Sequence, residues 1–178
     1  SGVHKIRLLA NQTSIVQSLP AEIARFLASH ANTSIELTEG HSAEIPAMVH
    51  EGHADVGIYH AQHPAAGVLS WPYRQDRIGL VVPAGHPLAA RRQVLFEEAL
   101  DYPLVGAFPR HVGIAMLPED IARRYTGGLG LELVQIADAW ASRQFYACMR
   151  EPEAGGSHAA NLLAHLCQTA IGSDNPGR

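Results

Sequence analysis

The sequence predicts an α/β fold, a mostly parallel sheet with helices on its faces. Residues 5–60 alternate short apolar runs of strand length with stretches of helical periodicity, and such alternation needs crossover connections. A turn-forming cluster at 63–67 (HPAAG) interrupts the series, and a second run of strands and helices follows it. At 178 residues the chain can form one ordinary domain or two small lobes.

Residues 5–10 (KIRLLA) read as a strand, and Asn11-Gln12-Thr13-Ser14 opens a helix with Ile15, Leu19, Ile23, Phe26 and Leu27 on one face. Pro20 falls inside that pattern, which predicts a helix start or a kink beside it. Residues 34–38 (SIELT) form the second strand. Ser42 is placed to cap a short helix that runs through His50 and ends at Gly52. The third strand is 56–59. Residues 68–73 and 77–82 are then strand-like, 91–100 carries a short amphipathic helix, and 104–106 and 113–117 are short strands. Pro118 suits the first position of a helix over 119–125, closed by Gly127-Gly128. Residues 131–136 and 144–150 are further strands. Ser157 caps a last helix bearing Leu162, Leu163, Leu166 and Cys167, and an irregular tail is expected from Gly172.

The bulk properties exclude several classes. An apolar share of 47% is that of a folded globular chain. A formal charge of −4 argues against nucleic acid on this stretch itself, since phosphate binding needs a basic face. Lys5 is the only lysine, and arginine carries the remaining positive charge. No run reaches the ~18 apolar residues of a membrane span, and the start lacks a charged-then-apolar signal pattern. The expectation is a cytoplasmic protein with no membrane partner. Cys148 and Cys167 read as small buried hydrophobes, with no disulfide framework or metal spacing around them.

Two segments carry a family signal. Asp76 to Ala89 (DRIGLVVPAGHPLA) runs an apolar strand into Pro83, Gly85 and a His86-Pro87-Leu88-Ala89 turn. Some twenty residues earlier, Gly52-His53-Ala54-Asp55-Val56-Gly57-Ile58 feeds another strand. With Leu95 to Leu100 ahead of Tyr102-Pro103-Leu104-Val105, the Gly113 to Pro118 segment (GIAMLP), and Ala137 to Trp140 before Arg143-Gln144-Phe145, this order resembles the effector-binding domain of LysR-type transcriptional regulators over residues 6–168. The resemblance implies two Rossmann-like α/β lobes of the type II periplasmic-binding-protein kind, joined by two crossing strands with a ligand cleft between. Residues 1–75 plus 152–178 would form lobe I, and 76–151 lobe II. One departure stands out: only Ala107 to Val112 separate the YPLV and GIAMLP strands, where the family has some thirty or more residues. Either the second lobe is shortened or a segment near 107–112 is missing. Six residues leave that lobe's core thin, which favours a missing segment.

The expected ligand site follows from the rule that open α/β sheets bind at the carboxyl ends of their strands. Asn11, Gln12, Thr13 and Ser14 offer small polar groups there, and a helix start adds free N–H groups and a positive end. In the resembled family the matching turn contacts effectors; helix capping by Thr13 or Ser14 is the plain alternative. Tyr59 and His60 follow the third strand, and His60 can face a carboxylate or stand in solvent. By the resemblance, Gly113 and Ile114 contribute from the second lobe. Asp55, ahead of its strand, reads as a structural turn or cap.

No catalytic residue, metal site or cofactor is expected. The pairs His50/His53 and His60/His63 invite a metal reading, but the first straddles Gly52 at a helix end, and there is no HExxH. Gly127-Gly128-Leu129-Gly130 follows a helix and precedes a strand, the reverse of a dinucleotide fingerprint, and no G-x-S-x-G is present. Glu97-Glu98 reads as a solvated helix face. The resemblance implies an inducer-binding regulatory domain, taking a small organic or aromatic acid, acting as a homodimer or tetramer. It would reach DNA only through an N-terminal winged helix-turn-helix absent from this sequence. The alternative on the same fold is a solute-binding protein for a small organic acid; an enzyme on this scaffold lacks a nucleophile or acid–base pair.

Overall fold

Ile6, Leu8 and Ala10 alternate with Leu9 along the first strand, and all four are buried. A strand buried on both sides lies inside a sheet covered on both faces. The computed structural model describes residues 2–103, 113–151 and 157–173, with side chains as far as 168. Their order is β1 (His4–Ala10), α1 (Gln12–Gln17), α2 (Leu19–Ala28), β2 (Thr33–Glu39), α3 (Ile45–His50), β3 (Val56–His60), β4 (Leu69–Pro83), β5 (Gln93–Val94), α4 (Phe96–Ala99), β6 (Ala115–Pro118), α5 (Glu119–Thr126), β7 (Leu131–Ile136), β8 (Ser142–Met149) and α6 (His158–Ser173). They divide into two compact units, Ser1–Arg74 with Gln144–Arg178, and Gln75–Arg143. The chain enters the second unit inside β4 and returns inside β8.

In the first unit β1 pairs in parallel with β2 and β3, and β3 pairs antiparallel with β8. The last pairing runs from Val56 with Met149 to His60 with Phe145, and the first unit resumes at Gln144, ahead of the expected 152. One face of the sheet packs Ile6, Leu8, Val56, Ile58 and Phe145 against Leu19 and Phe26 of α2 and Leu162, Leu163 and Leu166 of α6. The other packs Leu9, Tyr59, Tyr146 and Cys148 against Ile45 and Val49 of α3. Pro20 sits in the first turn of α2, where its missing N–H costs nothing, and Ser18 breaks the helices at that point. Glu22 of α2 is buried and accepts the Tyr73 hydroxyl at 2.6 Å, which bolts α2 to β4. Burial and the facing Glu22 carboxylate together hold that phenol far above its ordinary range. α3 lies close on β3 at Gly57, where a Cβ would come within 2.6 Å of Ile45 Cγ2 and 2.9 Å of Val49 Cγ2.

The second unit is mainly antiparallel. β4 pairs with β6 and β7, while β5 adds in parallel to β7. Its core is Leu80, Val82, Leu88, Val94, Ala99, Ile114, Val134, Ile136 and Ala141. The His86 turn is a 3-10 helix over Pro87–Ala90: Nδ1 of His86 accepts the Leu88 N–H at 3.1 Å and its ring stands edge-on to Tyr102.

Four elements differ from expectation. The two strand-like runs 68–73 and 77–82 are one strand of 15 residues, because the polar stretch between them is held extended by long-range partners. Gln144 Nε2 donates to the Arg74 carbonyl at 3.0 Å, and Arg143 Nε donates to Asp76 Oδ1 at 2.7 Å. The helix expected over 91–100 shrinks to α4, since Gln93 and Val94 join β7 as a strand. Ser42 does not cap α3, which starts at Ile45 after Glu44. Finally, α6 runs on to Ser173, past the expected start of the tail at Gly172. Ser157 does cap it, accepting the Ala160 N–H at 3.1 Å. The expected strand at 104–106 and the short connection at 107–112 lie outside the described residues.

Candidate functional site

Parallel pairing aligns the carboxyl ends of β1, β2 and β3, and hydrogen bonds between the segments that follow lock them into one edge. Asn11 N–H donates to the Ile58 carbonyl at 3.2 Å and Gly40 N–H to the Ala10 carbonyl at 3.0 Å. His60 N–H donates to the Ser42 hydroxyl oxygen at 3.1 Å, and Ala61 N–H to the Gln144 carbonyl at 3.2 Å. The edge thus gathers Asn11 to Ser14, Ser42 and His60 from three consecutive loops of the first unit. In open α/β sheets this is the end at which ligands bind.

The residues differ in what they present. Asn11 and Ser14 are buried, and the Ser14 hydroxyl donates to Asn11 Oδ1 at 2.8 Å. Neither makes a side-chain cap to α1, so plain helix capping does not account for them. α1 has only six residues, too short for the positive helix end expected there to count for much. Gln12 is exposed and Thr13 half-buried. His60 is half-buried with its ring edge-on to Phe145 at 5.5 Å. Tyr59 points the other way. Strand alternation turns it to the α3 face, where its hydroxyl pairs with Ser70 Oγ at 2.7 Å and accepts the Ala65 N–H at 2.9 Å. These two bonds engage the phenol inside the fold.

Gly113 and Ile114 belong to the second unit. Ile114 is fully buried in that unit's core and its N–H donates to the Pro103 carbonyl at 3.1 Å. Gly113 takes φ 142°, a conformation that suits glycine. Asp55 accepts from the backbone N–H and guanidinium of Arg7, at 2.8 and 3.0 Å. Burial alone would raise its pKa, but the Arg7 hydrogen bonds and the Arg7 and Arg150 charges outweigh it and hold the carboxyl below its ordinary range. The histidines flanking Gly52 are separately engaged: His50 Nδ1 meets the Gly67 carbonyl at 2.8 Å and His53 pairs with Glu51. Among the described residues no three His, Cys, Asp or Glu side chains converge as a metal would require. Burial pushes the Cys148 thiol up to about 12 and, with Glu22 nearby, that of Cys167 up to about 11. Both cysteines are free.

Ser42 was read only as a cap, yet the carboxyl-end rule that pointed to Asn11 also points to it, two residues past the Gly40 bond to β1. Gln144 was read only as the start of a strand and as part of the family signal. Its place beside Ala61 depends on the antiparallel return of β8, some eighty residues later in the chain.

The family described as the LysR substrate binding domain matches residues 2–112. The HTH-type transcriptional regulator CysB of Burkholderia cenocepacia is 31% identical over 101 residues, which are 56% of this chain and 32% of that protein. The chain spans about a third of the length of the curated relatives it matches. Among solved structures, the regulatory domain of MetR, a LysR family regulator from N. meningitidis, superposes with TM-score 0.76 at 17% identity, covering 98% of this chain and 96% of that one. The BenM effector binding domain with its effector benzoate superposes with TM-score 0.73 at 17% identity, covering 100% and 97%. At these identities the structural likeness is one of fold, that of the type II periplasmic-binding-protein kind.

Proposed function

The chain belongs to the family of LysR substrate-binding domains, and from that premise we propose that it is the effector-sensing part of a LysR-type transcription factor that binds its small molecule at the carboxyl edge of the first unit. The observation that carries the reading is the convergence of Asn11 to Ser14, Ser42 and His60 on that edge through backbone bonds between three loops. The role is regulatory and not enzymatic, as the relatives' description as transcriptional regulators supports. The same description favours regulation over solute transport, the other use of this fold.

The edge side chains are neutral donors and acceptors with one imidazole, which suits a small organic or aromatic acid held by hydrogen bonds. A ligand that binds one arrangement of the protein better than another shifts the population toward it. In the parent protein that shift would be passed, within a homodimer or tetramer in the cytoplasm, to an N-terminal winged helix-turn-helix on DNA. Among the described residues no helix is long and apolar enough to cross a membrane.

A thermal-shift screen of organic acids, amino acids and aromatic compounds tests the reading. At least one acid should raise the melting midpoint, and a Gln12→Ala, Thr13→Ala double variant should lose most of that shift. A library in which no compound moves the midpoint rejects effector sensing by this domain.

A further inference from the structure

We propose that Ser18 and Tyr73 couple the ligand edge to the strands that pass between the units: their hydrogen bond is made or lost with the setting of α1, and its state decides how firmly β4 and β8 are held where they leave and rejoin the first unit. This rests on the effector-sensing reading and adds to it the route by which occupancy is reported.

α1 is a segment of six residues, set off from α2 at Ser18, whose φ of −132° interrupts the helical run. Ser18 closes one helix and opens the next. Its N–H donates to the Ser14 carbonyl at 3.4 Å, and its carbonyl accepts the Glu22 N–H at 3.2 Å. Its side chain caps neither helix and pairs with the Tyr73 hydroxyl at 3.2 Å. Tyr73 is 1% exposed, and the same hydroxyl donates to Glu22 Oε2 at 2.6 Å. A bond to a carboxylate is roughly twice as strong as one between neutral groups. Glu22 therefore keeps Tyr73 on α2, and the weaker Ser18 link is the one that yields when α1 moves.

The neighbours of Tyr73 give that link its consequence. Arg74, the next residue, is where β4 leaves the first unit, and Gln144 is where β8 returns to it. These two are themselves joined, with Gln144 Nε2 donating to the Arg74 carbonyl at 3.0 Å. The Gln144 carbonyl in turn accepts the Ala61 N–H at 3.2 Å, from the residue after His60. The exit and return of the chain are thus tied to the ligand edge at two points: to α1 through Ser18 and Tyr73, and to the loop after β3 through Ala61. A ligand held between α1 and that loop binds one setting of the Ser18 link better than the other, and such a difference in affinity is what couples two places in a protein. Ser18 and Tyr73 are positioning residues in this role and need not touch the ligand.

A mutant cycle read by amide hydrogen exchange in the ligand-free protein tests the coupling. Val16 of α1 is 54% exposed, so Val16→Gly loosens the helix without emptying the core. Ser18→Ala removes the link alone, whereas Tyr73→Phe would also strip the buried Glu22 of its partner. Each of Val16→Gly and Ser18→Ala should speed exchange across residues 73–76 and 144–146 by about fivefold, the net worth of one hydrogen bond. Together they should do no more than Ser18→Ala does by itself. Additive effects, an increase spread equally over α3, or none at 73–76 overturns the proposal. Benzoate and shikimate then serve as probes. One that raises the wild-type melting midpoint should slow exchange at the same residues, and in Ser18→Ala should still bind while leaving them unchanged. Wild-type binding with no change at 73–76 overturns the coupling and leaves the site standing. If neither probe binds, the effector-sensing reading loses support, and the ligand-free cycle still decides the coupling.

Discussion

Asp76 and Arg143 face each other on β4 and β8, just inside the second unit. Their side chains are 2% and 15% exposed and joined by two guanidinium hydrogen bonds. A bidentate pair shielded from water stabilises only while both members are present, since removing one leaves a buried charge. Asp76→Asn should therefore lower the unfolding free energy by about 3 kcal/mol, read from urea denaturation at neutral pH. Asp55 is more open and makes a gentler, pH-dependent contribution through Arg7. Its folded pKa is depressed, so the contribution is complete above the unfolded carboxyl value of about 3.9 and fades as pH falls through the lower folded value. Between pH 7 and pH 3 the urea midpoint of the wild type should fall further than that of Asp55→Asn. Parallel curves would show that Arg7 does not discriminate the ionised form.

At the scale of elements, what was legible depended on where the partners lie. The break between α1 and α2 is written locally by Ser18 and Pro20, and the Ser157 cap by its own helix, so both could be anticipated. The unbroken run of β4 could not. Arg74, Gln75 and Asp76 look like a polar interruption, and the groups that keep two of them extended lie 67 and 70 residues away in sequence. Tyr59 is the intermediate case. Period-two alternation separates it from Ile58 and His60 on the strand, but which of them turns to the α3 side is fixed only once α3 is packed. That packing is close at Gly57. Gly57→Ala should press a methyl into Ile45 and Val49 and cost about 1–3 kcal/mol, with lost hydrogen-exchange protection in α3 before α2. An unaffected α3 would mean the helix can lift off β3 without penalty.

At the scale of the molecule, the two cores are separate sets of side chains, one centred on β1 and β3 and one on β4 and β7. Leu166→Ala and Leu80→Ala each empty a fully buried position and should each cost about 2–5 kcal/mol. Hydrogen exchange followed by mass spectrometry should find the first effect mainly in peptides of β1, β3 and α6, and the second mainly in β4, β6 and β7. Equal loss of protection across both sets would instead make the chain one cooperative block.

The passage of the chain through β4 and β8 also sets an order in time. Residues 75–143 follow one another in the chain, whereas the first unit draws on residues before and after them, since β3 lacks its second neighbour until β8 is made. On the ribosome, the unit begun first is thus the last to be completed. Until its closing strand emerges, the apolar edge of β3 stands open, and a chaperone that shields nascent strands would find its longest opportunity there.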